Sequence, residues 1–177
     1  DKTFETMVKE ATLAWPMIMH LDNKDNVGPK SISGKEDWRR QKKEPATINE
    51  NHARELMELH TISPDGGYTQ EDVIELAKIM TGWRPKWTKG REHGHDVSFD
   101  REIHEPGKKK VLGKVYKSGK KGIKLAIKDL VNHPSCREFI STKLCKYLIT
   151  DNPTPEMIAP VIKAWEKSDG LLPEVHK

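Results

Sequence analysis

A helical segment near the first third of the chain mixes polar side chains with apolar ones. Asn49, His52 and His60 fall inside the apolar arc that a helix over residues 48–61 would present. A buried polar group left without a partner costs about 1–3 kcal/mol, so these side chains are expected to have partners. The segment therefore predicts either a polar binding site on this face or core groups bonded to neighbouring loops.

Charged side chains flank that arc. Glu50, Arg54 and Glu58 are four residues apart and alternate in sign, which predicts a ladder of ion pairs along the helix. His52 and His60 would lie about 12 Å apart along the axis at a rise of about 1.5 Å per residue. Metal ligands lie about 2 Å from their ion, so this pair cannot hold one metal, and no metal site is predicted here.

Histidines further along offer a second kind of chemistry. In an extended segment His93 and His95 would point the same way, and Asp96 could orient one of the rings. Gly94 loosens the segment and no third ligand is fixed nearby, so a solvated loop is favoured over a metal site.

Helices must position these residues. The apolar spacing predicts helices over residues 3–14, 48–61, 70–80, 123–132, 135–149 and 155–167. Thr47 with Glu50 predicts a capping box for the helix at 48–61, and Thr69 caps the next one. Short turns predict antiparallel helical hairpins. The predicted class is mainly α, with helical hairpins packed as an irregular orthogonal or bundle-like domain.

Two polar stretches interrupt the helices. Residues 24–46 are predicted to be an irregular insertion, and residues 84–122 a long basic loop with at most a short β-hairpin around Val111–Tyr116. The 177 residues fit a single domain or an internal fragment of a larger one. No apolar run approaches about 18 residues, so no membrane span is predicted.

The basic loop suggests an anionic partner. Residues 84–124 hold 13 lysines or arginines and 5 carboxylates, a net +8 against +4 for the whole chain. The candidate contacts for an anionic ligand are Lys108, Lys109, Lys110 and Lys114. A mobile, solvated loop is favoured over such a binding surface. No nucleic-acid motif occurs and the lysines are dispersed, so nucleic acid is not the expected partner.

Several reaction classes lack their sequence signatures. The chain has no glycine-rich phosphate loop, no serine nucleophile elbow and no Cys-x-x-Cys pair. Cys136 and Cys145 fall on opposite sides of the predicted helix at 135–149, so they cannot bridge each other and are expected to be buried thiols. The sequence identifies no catalytic residue and no cofactor.

Three blocks of the sequence resemble a bacterial family of large proteins known only as domain of unknown function 1800. They are the run Asn49–Thr61, the run Gly67–Val73 and Thr81-Gly82-Trp83. Further matches occur at Leu21–Asn23, Phe99, His104–Glu105, Val111–Gly113 and His133–Pro134. The family has no settled activity, and many members are exported. The resemblance therefore implies an exported or envelope setting.

Departures from the family pattern also carry information. Members usually have an aromatic and histidine-rich block upstream of the point where this chain begins. The resemblance thus implies an internal fragment whose partners include the rest of its parent chain. Ser63-Pro64 replaces the usual glycine, and Glu105 replaces the usual aspartate. The stretches 24–46 and 84–98 look like insertions.

Two functions follow as hypotheses. The preferred one is a binding or structural helical module of a larger exported or envelope-associated protein. The alternative is part of a metal- or haem-assisted enzyme in which His60 or His104 joins upstream histidines. The candidate polar site for either function is Asn49, Glu50, Arg54, Glu58, His60, Thr81, Trp83 and His104.

Overall fold

A computed structural model of the protein describes residues 2–41, 47–86 and 96–176, without the side chains of residues 37–41. Within these ranges the chain is mainly helical, as predicted. The helices are α1 Phe4–Thr12, α2 Trp15–His20, α3 Ile32–Gln41, α4 Asn51–Glu58, α5 Gln70–Met80, α6 Gly122–Val131, α7 Pro134–Leu148, α8 Pro155–Ser168 and α9 Leu172–Val175. The antiparallel strand pairs are β1 Trp83–Pro85 with β2 Val97–Phe99, and β3 Lys109–Val111 with β4 Lys114–Tyr116.

Helix α5 lies at the centre of the fold, where it contacts α4, α6 and β3. Its predicted inward residues are all buried: Val73, Leu76, Ala77 and Met80. The predicted cap is confirmed, because Thr69 Oγ1 accepts from the Asp72 backbone N–H (3.2 Å) and the Asp72 carboxylate accepts from the Thr69 backbone N–H (2.9 Å). Helices α5 to α8 match their predicted bounds within one residue.

Helix α4 is shorter than the predicted helix at 48–61. The predicted Thr47–Glu50 capping box is wrong, because Glu50 itself occupies the N-cap position and makes no side-chain cap. Asn49 Oδ1 accepts from the Asn51 backbone N–H (3.1 Å), and the Asn49 backbone N–H donates to Asn26 Oδ1 (3.1 Å). Asparagines therefore fix the start of this helix.

The prediction of an irregular stretch over residues 24–46 is wrong in part. Asn23–Asp25 form a 3-10 turn, and Ile32–Gln41 form α3, while residues 42–46 lie outside the described ranges. The Gly34 backbone N–H donates to Ser31 Oγ (3.1 Å), which supplies a cap at the start of α3. The sequence of α3 is so polar that no apolar periodicity reveals it.

The predicted short hairpin within the basic loop is confirmed as β3–β4, with Val111 opposite Lys114. The pair β1–β2 was not predicted. Residues 87–95, between these two strands, are outside the described ranges, and the metal-site alternative considered for His93 and His95 falls there.

Side chains of α5 hold the β3 edge of this hairpin. Asp72 Oδ1 accepts from the Leu112 backbone N–H (2.7 Å), and Glu75 Oε2 accepts from the Lys110 backbone N–H (3.0 Å). These carboxylates satisfy backbone donors that an edge strand would otherwise leave unpaired.

A carboxylate of α6 holds the other strand. Asp129 accepts from the Tyr116 hydroxyl (2.7 Å) and from Lys114 Nζ (2.6 Å). These two hydrogen bonds hold the Asp129 pKa below its ordinary value against the opposing effect of burial. The hairpin is thus clamped between α5 and α6.

A further expectation concerns the two cysteines of helix α7. Cys136 and Cys145 are buried free thiols on α7, as predicted. Helix α8 continues through Pro160. Among the described residues, none of the helices combines the length and apolar character that crossing a membrane requires.

Candidate functional site

The structure separates the predicted polar site into two groups and one isolated residue. The first group lies on α4 and the residues just before it, and consists of Asn49, Glu50, Arg54 and Glu58. The second group lies beyond the C-terminal end of α5 and includes Thr81, Trp83 and His104. His60 joins neither group by a hydrogen bond among the described residues.

The first group joins two helices at the surface. Arg54 Nη2 donates to Glu50 Oε1 (2.7 Å) and to Gln70 Oε1 (2.6 Å), and Gln70 Nε2 donates to Glu50 Oε2 (2.5 Å). The hydrogen bond from Arg54 lowers the Glu50 pKa. Both charged side chains are partly exposed, so this ion pair contributes less than about 1 kcal/mol. Glu58 lies beside Tyr68, whose pKa is raised by burial and then by that neighbour.

The prediction that His60 lies inside the apolar arc is wrong. Helix α4 ends at Glu58, so His60 lies past the helix and its side chain is exposed. It lines a shallow apolar cavity of about 300 Å³ with Phe4, Met17 and Ile140 among others. Asn49 is half-buried, and its Nδ2 donates to the Asp22 carbonyl (3.3 Å).

His52 takes the buried position on α4. Its side chain is 1% exposed, and neither ring nitrogen has a hydrogen-bond partner among the described residues. Burial, followed by the nearby His60, lowers its pKa to about 4. The expectation that each polar group on this face finds a partner is therefore wrong at His52.

In the second group, His104 is buried and fully hydrogen-bonded. Its Nδ1 donates to the Thr81 carbonyl (2.8 Å), and its Nε2 accepts from the Gly119 backbone N–H (2.9 Å). These bonds require a neutral ring with its proton on Nδ1, and burial lowers its pKa. Neither nitrogen keeps a free lone pair for a metal ion in this arrangement.

Thr81 and Glu105 extend the same buried network. Thr81 Oγ1 donates to the Lys78 carbonyl (2.7 Å) and accepts from the Glu105 backbone N–H (2.8 Å). The Glu105 carboxylate accepts from the Lys30 backbone N–H (2.9 Å). These hydrogen bonds join three segments that are distant in sequence, around Lys30, Thr81 and Glu105.

Lys109 belongs to this network and not to the surface. It is 2% exposed, and its ammonium donates to the Glu105 carbonyl oxygen. The prediction that Lys109 contacts an external anion is wrong, because the strand turns this side chain inward, where burial lowers its pKa. Lys114 is paired with Asp129 on α6. Lys108 and Lys110 are exposed.

Two asparagines outside the predicted site, Asn23 and Asn26, complete the second group. Asn23 Nδ2 donates to the Trp83 carbonyl (2.8 Å), and Asn26 Nδ2 donates to the Ala77 carbonyl (2.9 Å). Both side chains are buried. Asn23 Nδ2 also donates to the Met80 carbonyl (3.3 Å), so the two side chains bind backbone carbonyls in the last turn of α5 and at the start of β1. Asn23 lies in the Leu21–Asn23 family match, which was the one signal that pointed to it.

A cleft of about 890 Å³ opens beside His104. It is lined by Lys30, Ser31, Ile32, Phe99, Arg101, Glu102, His104, Pro106, Ser118, Gly119 and Lys120. In the described part of the chain, Lys30, Arg101 and Lys120 make no ion pair. The cleft is therefore positively charged, with Glu102 as its carboxylate.

An aromatic cluster forms one wall of this cleft. Phe99 packs edge-on against Trp83 (5.5 Å between ring centroids) and contacts His104 (5.0 Å). Lys120 Nζ lies 5.9 Å from the Trp83 ring centroid. The Trp83 indole N–H is buried and has no partner among the described residues.

Comparison with known proteins places the chain in a family. The family model described as a protein of unknown function, DUF1800, matches residues 2–177. The chain belongs to the DUF1800 family. No curated protein and no solved structure matches it.

The segments that suggested the DUF1800 family have clear structural roles in this chain. The run Asn49–Thr61 forms α4 and its flanks, and Gly67–Val73 forms the turn and cap that begin α5. Thr81–Trp83 meets His104–Glu105 in the buried network. Across the described part of this DUF1800 chain, no group of three or more His, Cys, Asp or Glu is arranged to hold a metal ion.

Proposed function

We propose that this chain is a binding module of an exported or envelope-associated protein, and that the cleft beside His104 binds an anionic ligand. One observation supports this most strongly: Lys30, Arg101 and Lys120 line one cavity and have no carboxylate partner in the described ranges. Unpaired cations grouped in a concave site attract anions and lower the cost of burying them. The exported setting rests on the family resemblance.

Hydrogen bonds of the backbone hold together the segments that carry the cations. The Ser33 backbone N–H donates to the Glu102 carbonyl (3.0 Å), which ties the start of α3 to the segment that carries Arg101. The Gly119 backbone N–H donates to His104, which ties in the segment that carries Lys120. A site held in place before binding loses less entropy when a ligand arrives.

The chemistry of the cations indicates the kind of anion. The planar Arg101 guanidinium can donate two parallel hydrogen bonds to a carboxylate or phosphate, and the two lysines add point charges. The alternative, a metal- or haem-assisted enzyme, is less well supported, because both nitrogens of His104 are already hydrogen-bonded.

Titration calorimetry with inorganic pyrophosphate tests the proposal. We expect binding that weakens as salt is added, because exposed charges are screened within about 10 Å at 0.1 M ionic strength. The double variant Lys30→Glu with Arg101→Glu should weaken binding at least about tenfold, since each substitution replaces attraction by repulsion.

The matched control is Lys163→Glu with Lys167→Glu on α8, which changes the net charge equally at exposed positions away from the cleft. It should keep nearly the original affinity. Equal losses in both double variants, or no pyrophosphate binding at low salt, would contradict the proposal.

A further inference from the structure

A second basic surface lies on the outer face of α6. Lys121, Lys124, Leu125 and Lys128 recur at spacings of three and four residues, so they form one stripe along the helix. All four side chains are exposed, and Leu125 is 53% exposed. The opposite face of the helix is buried in the core through Ile123, Ala126, Ile127 and Leu130.

Strand β4 extends this stripe. Val115 is 60% exposed and lines a shallow depression of about 600 Å³ together with Lys117, Lys121 and Leu125. We call the surface formed by Val115, Lys117, Lys121, Lys124, Leu125 and Lys128 the lysine stripe. In this surface two exposed aliphatic side chains, Val115 and Leu125, lie among lysine ammonium groups.

The positive charge of the lysine stripe is not neutralised by its neighbours. Asp129 lines the same depression, but its two oxygens are bonded to Lys114 Nζ and the Tyr116 hydroxyl. In the described part of the chain, Lys117, Lys121 and Lys124 make no ion pair. The stripe therefore suits a partner that is both negatively charged and able to take up aliphatic groups.

We propose that the lysine stripe docks on the surface of an anionic lipid bilayer, with Val115 and Leu125 entering the headgroup region. Aliphatic side chains beside lysines match the layered polarity of such an interface, where ammonium groups meet lipid phosphates and apolar groups reach the acyl boundary. Nucleic acid fits less well, because the nearby rings of Trp83 and Tyr116 are buried and cannot stack on bases.

The surface is rigid enough to dock as a unit. The buried face anchors α6, and Asp129 fixes β4 to that helix. The proposal does not depend on anion binding in the cleft, whose test substitutes Lys30 and Arg101. Lys120 borders both surfaces and is left unchanged in the test below.

Vesicle flotation tests the docking surface. The intact chain is mixed with vesicles of phosphatidylcholine alone, or with about 30% phosphatidylglycerol. We expect binding to the anionic vesicles only. The variant Val115→Ser with Leu125→Ser should reduce binding about tenfold without a change in charge, because it removes only the apolar contribution. Lys117→Glu, Lys121→Glu and Lys124→Glu together should abolish it.

The matched control is the triple variant Lys146→Glu, Lys163→Glu and Lys167→Glu, which changes the same charge at exposed sites on α7 and α8. It should bind nearly as the original chain does, and circular dichroism confirms the folding of each variant. No binding to anionic vesicles, or equal binding by the serine variant, would overturn the proposal. Preferential binding to a soluble RNA competitor would also overturn it. None of these outcomes depends on pyrophosphate binding in the cleft.

Discussion

Two buried histidines of this chain have opposite surroundings. The His104 ring donates one hydrogen bond and accepts another, so both nitrogens of the neutral ring have a partner. His52 has neither bond, although it is equally enclosed. A neutral imidazole without partners forgoes hydrogen bonds, but a charged one in the same place would be far more costly. Protonation of His52 therefore directly opposes folding.

The pH dependence of stability should reveal His52. Its pKa is about 4 in the folded chain and about 6.5 when unfolded. Between these values the unfolded chain binds more protons, so the free energy of unfolding falls as pH drops through this window. The contribution approaches about 3 kcal/mol at its acid end. We therefore expect urea unfolding of His52→Leu to show a smaller loss of unfolding free energy on acidification than the original chain shows.

His60→Leu is the control for that series. The exposed His60 ring makes no hydrogen bond in the described part of the chain, so at neutral pH its removal should change the free energy of unfolding by less than about 0.5 kcal/mol. If His52→Leu lost as much stability on acidification as the original chain, burial of a neutral His52 ring would be contradicted.

At the scale of elements, helix α5 organises its surroundings through its acidic first turns. Asp72 caps α5 through Thr69 and also accepts from the Leu112 backbone N–H, so one carboxylate serves both the helix and the hairpin. Those backbone hydrogen bonds lower its pKa, against the effect of burial. The position of β3–β4 thus depends on a side chain that belongs to another element.

Substituting Asp72 should therefore cost more than losing an ordinary cap. Asp72→Ala removes the half of the capping box in which the carboxylate accepts from the Thr69 backbone N–H, worth about 1 kcal/mol. It also leaves the Leu112 N–H unpaired, which costs about 1–3 kcal/mol. We expect a loss of about 2–4 kcal/mol in urea unfolding. The neighbouring Glu71→Ala, at an exposed position, should cost far less. Similar losses in the two variants would argue against the double role.

The elements that sequence predicted well are those whose own residues determine them. Helix α5 combines a capping threonine, apolar spacing and, just beyond its end, Gly82 with a positive φ, all within one segment. Helix α3 lacks the apolar spacing, and the start of α4 depends on Asn26, which is distant in sequence. Local patterns cannot reveal a contact of that kind.

At the scale of the whole molecule, the candidate site was also predictable only in part. Sequence selected Thr81, Trp83 and His104, and the structure brings these three together. It could not show that Lys30, Arg101 and Lys120 share a cleft, because those residues come from three segments that only the fold assembles. The sequence shows the net positive charge of the basic region, but it does not show which of the lysines turn inward.

The buried thiols provide a test of the whole fold. Cys136 and Cys145 are enclosed on α7, and burial raises the Cys136 pKa to about 12. Because the thiolate is the reactive form, the folded chain should react very slowly with a disulfide reagent at mildly alkaline pH. In concentrated urea both thiols should react at once. Fast labelling of the folded chain, set against an unchanged circular dichroism spectrum, would contradict this packing of α7.

Backbone hydrogen bonds also join the first and last described elements. Phe4 N–H donates to the Gly170 carbonyl (2.8 Å), and Leu172 N–H donates to the Lys2 carbonyl (3.2 Å). Phe4 also packs edge-on against Trp165. Segments this far apart along the chain meet only after the intervening loop has closed, which is entropically costly. We therefore expect this junction to form late in folding and to open early under mechanical tension, before the helices around α5 separate.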